Sequence, residues 1–508
     1  MTAGPGAVRP EAPAPASAAA TDGSTAARGA VFIGFAKLYF MLSGFVQQVL
    51  LTRFVGAAEF GAFAVVNNVI SIVNNTVVQA TIQSVSKYTA EDDARAGAVQ
   101  RAGLRMQVVL GAALAVAIFL GAPLIARFEE APRYTSYFRI AAAIPFLYAL
   151  YAVYVGSANG LRRFRTQASF DVGFSTAKTI LLLGLAALWK VTGAFVGFAA
   201  AALFILSVAS RVMRLPAGSI RFPIGRLTAY MSAVVAYGLL LNVALNYDQP
   251  LLHHFAGKAA GEAVAAVAAG HYQALRTLAL LPYQALIVVT FVIFPLISRA
   301  TFAEDREATR LYVTQTLRYA LILVSFMGIV LAARPDALLA IIYKPAYGEG
   351  AAAMPILVAG ECCLALLGVV CAILNAAGRT RATLSFVALT VAVGAAAAAI
   401  LVPAAPIGAP MLRAAATATA LGMSVGFVAA IIYVRARLGG SPPAGTIARV
   451  AGGVAAGLAV ARIMPGHGKI LGLAAIALAA VAYLVVLVAA GELGPADRAK
   501  LARMLRRS

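Results

Sequence analysis

Long apolar runs separated by short polar segments make up most of the chain. Each run has about 20 residues or more, enough to cross the roughly 30 Å hydrocarbon core of a bilayer as a helix. Backbone inside a bilayer must satisfy its own hydrogen bonds, and no alternating strand pattern occurs, so the runs are predicted to be helices. The fourteen predicted spans are 30–52, 60–86, 103–126, 138–160, 168–189, 192–212, 228–252, 270–297, 311–333, 351–376, 382–403, 412–434, 447–464 and 469–491.

Two short segments recur in the same order along the chain. Gln47–Gly56 (QQVLLTRFVG) matches Asp248–Gly257 (DQPLLHHFAG) at five of ten positions, and residues 86–92 (SKYTAED) match residues 298–305 (SRATFAED) with one insertion. The copies end spans 1 and 2 in the first half and spans 7 and 8 in the second. Because six spans separate the copies, the halves should point the same way, related by a pseudo-two-fold axis along the membrane normal.

The predicted fold class is therefore an all-α polytopic membrane protein with about fourteen transmembrane helices. Two six-helix lobes form a parallel repeat, the N-lobe over 29–226 and the C-lobe over 227–437. Residues 438–491 are predicted to hold two additional helices outside the duplication. Residues 1–28, rich in Ala, Pro, Gly, Ser and Thr, are predicted to be a disordered cytoplasmic tail, and residues 492–508 a basic cytoplasmic tail.

Composition agrees with this class and the charge distribution orients the chain. The sequence is 62% apolar and 12% charged, with a net charge of +22 that could suggest a nucleic-acid partner. However, 27 of the 41 Lys and Arg residues fall in the tails and even-numbered loops if the N-terminus is cytoplasmic. This asymmetry follows the positive-inside rule, so we expect a multi-pass membrane protein with both termini cytoplasmic and no nucleic-acid partner. We call the side of the even-numbered loops the basic side and the other the far side.

Polar residues inside the spans mark candidate cavity positions. Span 2 carries a stripe spaced by four residues, formed by Asn67, Ser71, Asn75, Gln79 and Gln83, with Asn68 and Asn74 beside it. Span 7 and its end carry Asn242, Asn246, Asp248, Gln249 and His253, and Gln48 in span 1 shares a face with Lys37. Such side chains either bond helices together or line a polar cavity. Their number on one helix favours a cavity.

Six charged residues lie inside the spans, and buried charge is expected to be paired or functional. They are Lys37, Lys178 and Arg276 against Asp171, Asp248 and Glu361. Asp171 and Lys178 lie seven residues apart on one helix face. They either form an ion pair that stabilises the structure or have a functional role. Lys37 and Arg276 lack an intrahelical partner and suit an anionic head group. Glu361, Asp248 and Asp171 are candidate coupling-ion or proton sites, with a paired or protonated carboxyl as the alternative for Glu361.

The sequence contains no phosphate-binding G-x-x-x-x-G-K-[ST] loop and no His, Asp or Glu cluster with metal spacing. Cys362, Cys363 and Cys371 fall in one apolar run and are interpreted as packing residues, while His253 and His254 are expected to contact the membrane interface. All predicted loops are short. We therefore expect no cofactor, no metal and no catalytic domain, and predict that the protein is not an enzyme.

The segment Leu51-Thr52-Arg53-Phe54-Val55-Gly56-x-x-Glu59-Phe60-Gly61 resembles the start of bacterial polysaccharide-biosynthesis flippases, as does Tyr247-Asp248-x-x-Leu251-Leu252-x-x-Phe255-x-Gly257. These are the O-antigen, Wzx-type members of the multidrug/oligosaccharidyl-lipid/polysaccharide (MOP) exporter superfamily. The resemblance, over about 29–490, implies two lobes in a V that turn an undecaprenyl-diphosphate-linked saccharide between leaflets by alternating access. It implies cationic cavity residues, here Lys37 and Arg276, and as partners a lipid-linked saccharide, membrane lipids and polysaccharide polymerase or export proteins.

Three other functions remain open from the sequence. A peptidoglycan-precursor flippase would have the same helix count and a cationic cavity. A drug or solute exporter could belong to the same superfamily or to the major facilitator type, although the loop between spans 2 and 3 lacks the D-R-x-G-R-like core that the facilitator type predicts. A membrane glycosyltransferase or polymerase is less favoured, because the first far-side loop has Glu59 as its single acidic residue and no large loop is predicted.

Overall fold

The computed structural model describes residues 16–216, 221–303, 305–464 and 468–494, and over them the chain is helical between short turns. The N-terminal helices are α1 (Ala16–Phe54), α2 (Ala57–Glu91), α3 (Ala96–Phe128), α4 (Tyr134–Ala141), α5 (Ala143–Gly160) and α6 (Phe164–Val212). They are followed by α7 (Ile224–Asn246), α8 (Asp248–Ala260), α9 (Glu262–Ala279), α10 (Leu281–Phe302), α11 (Arg306–Ala332) and α12 (Pro335–Ile342). The last are α13 (Met354–Ala376), α14 (Thr380–Ala404), α15 (Ala409–Leu438), α16 (Ala444–Ile463) and α17 (Lys469–Ala489). Two 3₁₀ helices, Asp93–Arg95 and Pro345–Ala353, precede α3 and α13.

In the described part of the chain, twelve helical segments are long and apolar enough to cross a membrane. The expected count was fourteen. The difference arises because the 49-residue helix α6 covers both predicted spans 5 and 6, and because α9–α10, at predicted span 8, is not among the twelve. The all-α, polytopic class is confirmed, and the count is near the expected one.

Helix α6 reverses direction at Trp189 and Lys190, whose backbone angles are non-helical. After the turn, Gly193 and Gly197 pack against the backbone of the segment that precedes it. A Cβ atom on Gly193 would lie 1.9 Å from the Leu185 carbonyl oxygen, so a side chain cannot be accommodated there. The close approach of the two segments thus depends on glycine, and predicted spans 5 and 6 form a tight antiparallel pair.

Two predicted helix boundaries need correction. Span 7 was expected to run unbroken over 228–252, but α7 ends at Asn246 and α8 continues to Ala260, because Pro250 has no N–H for the carbonyl of Asn246. Span 8 is likewise divided at Leu280, next to Pro282. The disordered tail expected over residues 1–28 stays a prediction, although α1 includes residues from Ala16 onward. Residues 1–15 and 495–508 lie outside the described residues.

Helix α2 lies at the centre of the molecule. It packs against α5 within the first six helices and against α7 and α9 of the following ones, while α1 runs along α6. In the second half, α13 packs against α10, α11 and α15, and α14 packs against α15 and α8. Contact between the halves is therefore concentrated on one helix, α2.

The last two helices pack on each other and on α11. Glu492, which follows α17 and is buried, pairs with Arg318 of α11 and Arg449 of α16 and accepts a hydrogen bond from Thr446. Burial acts to raise the pKa of this carboxyl, but the hydrogen bonds from Arg318, Thr446 and Arg449 outweigh burial and hold the pKa below its usual range. One carboxylate thus ties both added helices to the C-lobe.

The sequence repeat is reproduced in the helix caps. Asp92 and Asp305 occupy equivalent positions in the second pair of repeated segments. Each caps the helix that follows it, accepting a hydrogen bond from the N–H group of Ala94 or Ala308.

The ends of α5 and α13 are equivalent too, although neither belongs to the repeated sequence segments. The N–H of Arg163 bonds five residues back to the Ala158 carbonyl, and that of Arg379 bonds to the Leu374 carbonyl. Both halves therefore close their basic-side loops in the same way.

Candidate functional site

The polar stripe of α2 becomes more exposed toward the basic side. Asn67 and Ser71 are half-buried, whereas Asn75, Gln79 and Gln83 are exposed. The side of α2 that carries them is not the side that packs on its neighbours, because α5 contacts Val85 and Thr89, and α7 contacts Thr76 and Tyr88. The exposure of the stripe therefore rises toward the basic side.

A cavity of about 290 Å³ adjoins this stripe. Gln79 lines it from α2, and the rest of the wall comes from α7, α10, α13 and α14. Polar groups in the wall include Tyr237, Tyr283 and Asn375; the Asn375 amide donates to the Tyr237 hydroxyl at 3.4 Å. Sequence patterns missed these three residues because each stands singly in an apolar run. The match of the α5 and α13 ends could have directed attention to Asn375.

Other candidate amides hold the two halves together. Asn68 of α2 is buried and donates hydrogen bonds to the side-chain oxygens of Gln249 and Gln273. Asn242 of α7 donates to the Thr76 hydroxyl at 3.3 Å. Asn246 is half-buried and donates to the Asn242 carbonyl. In this conformation the side chains of Asn68, Gln249 and Asn242 thus join helices across the interface between the two halves. This is the alternative to lining a polar cavity.

Lys37 and Asp171 form an ion pair between α1 and α6, with the Lys37 nitrogen 2.8 Å from the carboxylate. The Lys37 side chain is 50% exposed. The proposed Asp171–Lys178 pair is absent from the ion pairs of the described residues, and Lys178 instead lies over the Phe198 ring, 4.2 Å from its centroid. The distance along the helix explains this correction, because residues seven apart share a helix face but lie about two turns apart. Gln48, also on α1, is half-buried with an unpartnered side-chain oxygen.

The second charged group is buried in the C-lobe. Arg276 of α9 pairs with Asp248 of α8 at 3.2 Å, and the Tyr272 hydroxyl donates to the same carboxylate at 3.0 Å. Glu361 of α13 is fully buried and interacts electrostatically with Arg276 and Asp248. Neither Glu361 oxygen has a hydrogen-bond partner among the described residues. The structure thus pairs two predicted site residues, Arg276 and Asp248, with the buried carboxyl of Glu361 on a neighbouring helix.

The halves meet closely at their far-side ends. A Cβ atom on Gly61 of α2 would lie 1.8 Å from the Ala266 carbonyl oxygen, and one on Gly270 of α9 would lie 2.0 Å from that of Ala57. Arg133, before α4, forms an ion pair with Glu262 of α9. Nearby, Lys344 donates to the Arg53 carbonyl at 3.2 Å, and Arg53 donates to the Ile342 carbonyl at 3.0 Å. Backbone contact and ionic bonds together close the far side.

A buried polar cluster adds to this closure. His253 of α8 is fully buried, with one ring nitrogen 3.2 Å from the Glu129 carboxylate and the other 3.1 Å from the Tyr134 hydroxyl. The ring of His254 stacks on Phe128. The sequence analysis placed both histidines at the membrane interface, whereas they contact the N-lobe. Glu129 and Tyr134 carry no sequence signal, because their partners lie 124 and 119 positions away.

The cysteines and histidines form no metal site in the described part of the chain. No group of three or more His, Cys, Asp or Glu side chains there could hold a metal ion. The Cys362 thiol faces the Val324 carbonyl, and Ser424 donates to the Cys363 sulfur. Both cysteines thus serve in packing between α11, α13 and α15.

This fold, two packed helical halves around a central α2 with two helices added at the end, is that of MOP-superfamily transporters. The lipid II flippase MurJ in an inward closed conformation superposes with a TM-score of 0.74 at 11% identity, covering 91% of this chain and 99% of that chain. An inward-facing multidrug resistance MATE family transporter of the MOP superfamily gives a TM-score of 0.62 at 16% identity, covering 81% and 98%. A MOP superfamily transporter from Pyrococcus furiosus gives 0.59 at 16% identity, covering 81% and 95%.

Sequence comparison identifies the family of the chain. Residues 26–301, more than half of the chain, match the model of the polysaccharide biosynthesis protein family. The chain belongs to this family, as the segments near the ends of spans 1 and 7 predicted. No curated protein matches the chain by sequence.

Proposed function

We propose that the protein is a flippase that moves a lipid-linked saccharide from the basic side to the far side of a bacterial inner membrane. The single observation that carries this proposal is the polar stripe of α2. Its exposure rises from Asn67 to Gln83 toward the basic side, while the far-side ends of the helices are closed. A stripe of amides open to one side offers hydrogen bonds to sugar hydroxyls in a part of the bilayer where lipid offers none.

The substrate is an undecaprenyl-diphosphate-linked repeat unit of a surface polysaccharide such as O-antigen. Family membership supports the saccharide, and the half-exposed Lys37 supports the diphosphate. Lys37 is exposed enough to turn from Asp171 toward a phosphate oxygen, and the phosphate would replace the carboxylate as its counter-charge. Arg276 is buried and paired in this conformation, and would reach the diphosphate only after the halves move. Polysaccharide polymerase or export proteins are the expected partners on the far side.

Transport is proposed to proceed by alternating access driven by an ion or proton. The far-side contact at Gly61 and Gly270 opens as the basic-side stripe closes, and two halves of the same orientation can rock in this way. The carboxylates of Glu361 and Asp248 are the proposed coupling groups, because a buried carboxylate without a full set of partners is costly and takes up a cation readily. Asp171, paired with Lys37, is the third candidate.

Reconstitution into liposomes tests the function. A fluorescent undecaprenyl-diphosphate saccharide in both leaflets should become accessible to a membrane-impermeant quencher at a rate well above that of protein-free vesicles. A rate equal to that of protein-free vesicles would reject the proposal. Lipid II and a cationic dye, offered in parallel, distinguish the alternatives, since preference for lipid II would favour a peptidoglycan-precursor flippase and preference for the dye an exporter.

Substitution at Gly61 tests the alternating-access step. Gly61→Val should abolish transport, because its side chain would occupy the position of the Ala266 carbonyl and prevent far-side closure. Gly44→Val on α1, where no atom lies within 4 Å of an added Cβ, is the matched control and should retain transport. Full transport by Gly61→Val, with normal expression, would contradict a cycle that passes through this closed conformation.

A further inference from the structure

The basic-side end of the C-lobe contains a second pocket, separate from the polar stripe and about 690 Å³ in volume. Its walls are the end of α10, the starts of α11 and α14, and the end of α15. The wall residues that carry chemistry are Arg306, Arg310, Arg379, Arg437, Thr301 and Asp305. Four guanidinium groups thus surround one water-accessible space.

Little negative charge opposes these groups in the described part of the chain. The Asp305 carboxylate accepts the N–H of Ala308 as the cap of α11, and the ion pairs of the described residues include none for the four arginines. The Thr301 hydroxyl is buried without a hydrogen-bond partner. The wall therefore offers several donors and one unused hydroxyl to a ligand rich in acceptors.

Tyr433 contacts two of the wall arginines. The Arg379 guanidinium donates to the Tyr433 hydroxyl at 3.2 Å and lies 6.0 Å from the centroid of the Tyr433 ring. Arg437 lies 5.9 Å from the same centroid. One aromatic side chain therefore helps to position two of the four cations of the wall.

The equivalent place in the N-lobe is filled by the chain itself. Arg163, the counterpart of Arg379, donates to the sulfur of Met213. The Gln100 amide donates to the Met213 carbonyl and accepts the N–H of Leu215. The basic pocket is therefore not a necessary product of the repeat, since one half closes this position and the other leaves it open.

Apolar surface borders the pocket. Phe302 and Leu311, each next to a wall residue, are 74% and 52% exposed, and Ile432 on α15 is 62% exposed. Exposed apolar side chains at the ends of membrane-spanning helices face acyl chains. The pocket thus combines a polar space for a head group with a path for the chains attached to it.

We propose that this pocket binds the phosphate head group of an anionic membrane lipid on the basic side of the C-lobe. Guanidinium groups match phosphate oxygens in pairs, and basic pockets between helices at the cytoplasmic surface suit such head groups. Thr301 supplies a further donor to the phosphate, and Phe302 and Leu311 contact the acyl chains. The site is independent of the proposed flippase activity, because it shares no residue with the stripe or with the Lys37–Asp171 and Arg276–Asp248 pairs.

Lipid binding by the full chain in neutral detergent tests the proposal. Native mass spectrometry would count phosphatidylglycerol molecules bound to the wild type and to the double variant Arg306→Gln/Arg437→Gln. The double variant should bind at least about tenfold more weakly, because each basic residue near a membrane surface contributes about 1 kcal/mol to anionic-lipid binding. Arg435→Gln, which removes an exposed charge outside the pocket from the same turn of α15, is the matched control and should bind like the wild type.

Two further arms decide between sources of phosphate. Inorganic phosphate and phosphatidylcholine should each fail to compete with phosphatidylglycerol; competition by inorganic phosphate at equal concentration would overturn the lipid assignment in favour of a free anion. An unchanged affinity in the double variant, or an equal loss in Arg435→Gln, would overturn the site. The Arg306→Lys/Arg437→Lys variant keeps the charge and should recover most of the binding, so that a folding defect is distinguished from a lost contact.

Discussion

The charged residues of the two lobes differ in their surroundings more than in their chemistry. In the N-lobe, Lys37 meets Asp171 with half of its side chain exposed. In the C-lobe, Arg276 and Asp248 are 4% and 3% exposed, with Glu361 fully buried beside them. A pair open to water can exchange its partner for a substrate anion, whereas a buried cluster changes partners only when the protein changes conformation. The lobes are thus suited to different tasks, the N-lobe to binding and the C-lobe to coupling.

The largest effect is expected for Arg276→Ala. Removing the guanidinium leaves Asp248 and Glu361 as buried carboxylates without a counter-charge, and loss of one partner of a buried pair costs about 3–5 kcal/mol. The free energy of unfolding in detergent should fall by that amount, and transport should be lost. Denaturant titration followed by circular dichroism measures the first quantity.

A second substitution separates pairing from packing. Arg276→Ala with Asp248→Asn removes both charges of the pair and should recover part of the lost stability. If the double variant is as unstable as the single one, the loss comes from the volume of Arg276 and not from its charge. The comparison between a buried and an open pair would then fail for the C-lobe.

Glu361→Gln should change coupling while leaving the fold intact. The amide has the shape of a protonated carboxyl, so the free energy of unfolding should stay within about 1 kcal/mol of wild type or rise. Transport stimulated by an imposed proton or sodium gradient should fall to the rate measured without a gradient. Liposomes with and without each gradient measure this directly.

An exposed glutamate provides the control for Glu361→Gln. Glu307→Gln, in the first turn of α11 and exposed, should retain the response to the gradient. If Glu361→Gln also retains the full response, the coupling assignment of Glu361 is wrong and Asp248 becomes the candidate to test.

The smallest effect on stability is expected for Lys37→Gln. Lys37 is 50% exposed although Asp171 is 11% exposed, so unfolding should change by about 1 kcal/mol, while transport of the diphosphate-linked substrate should fall several-fold because the cation is lost. Asp171→Asn frees Lys37 without removing its charge and should preserve or raise transport. Equal losses in the two variants would mean that the ion pair is structural, and the N-lobe would then resemble the C-lobe.

Much of this fold could be predicted from the pattern of apolar runs. Length and hydropathy identified most of the spans, and the even number of spans between the repeats predicted two halves of like orientation. The break at Tyr247 was missed because a helix breaks through backbone hydrogen bonds near Pro250, which hydropathy does not measure.

The charged members of the candidate site could be proposed from the sequence, but their pairing could not. Lys37, Asp171, Asp248 and Arg276 were selected as charges inside apolar spans, which does not show that the first two pair with each other and the last two likewise. Partners on different helices are fixed by packing, which no local pattern records. The same limit applies to Glu129 and Tyr134, whose role at His253 depends on the approach of the two lobes.

The contact between Gly61 and Gly270 has a consequence for how the protein responds to its surroundings. This contact consists of backbone atoms and contains no group that titrates or binds salt. High ionic strength should therefore leave its fit unchanged and act instead on the flanking Arg133–Glu262 pair. The far-side closure would then have one part fixed by shape alone and one part that responds to the solution. Substitutions in the first part should change how tightly the far side closes, and substitutions in the second should change how closure depends on solution conditions.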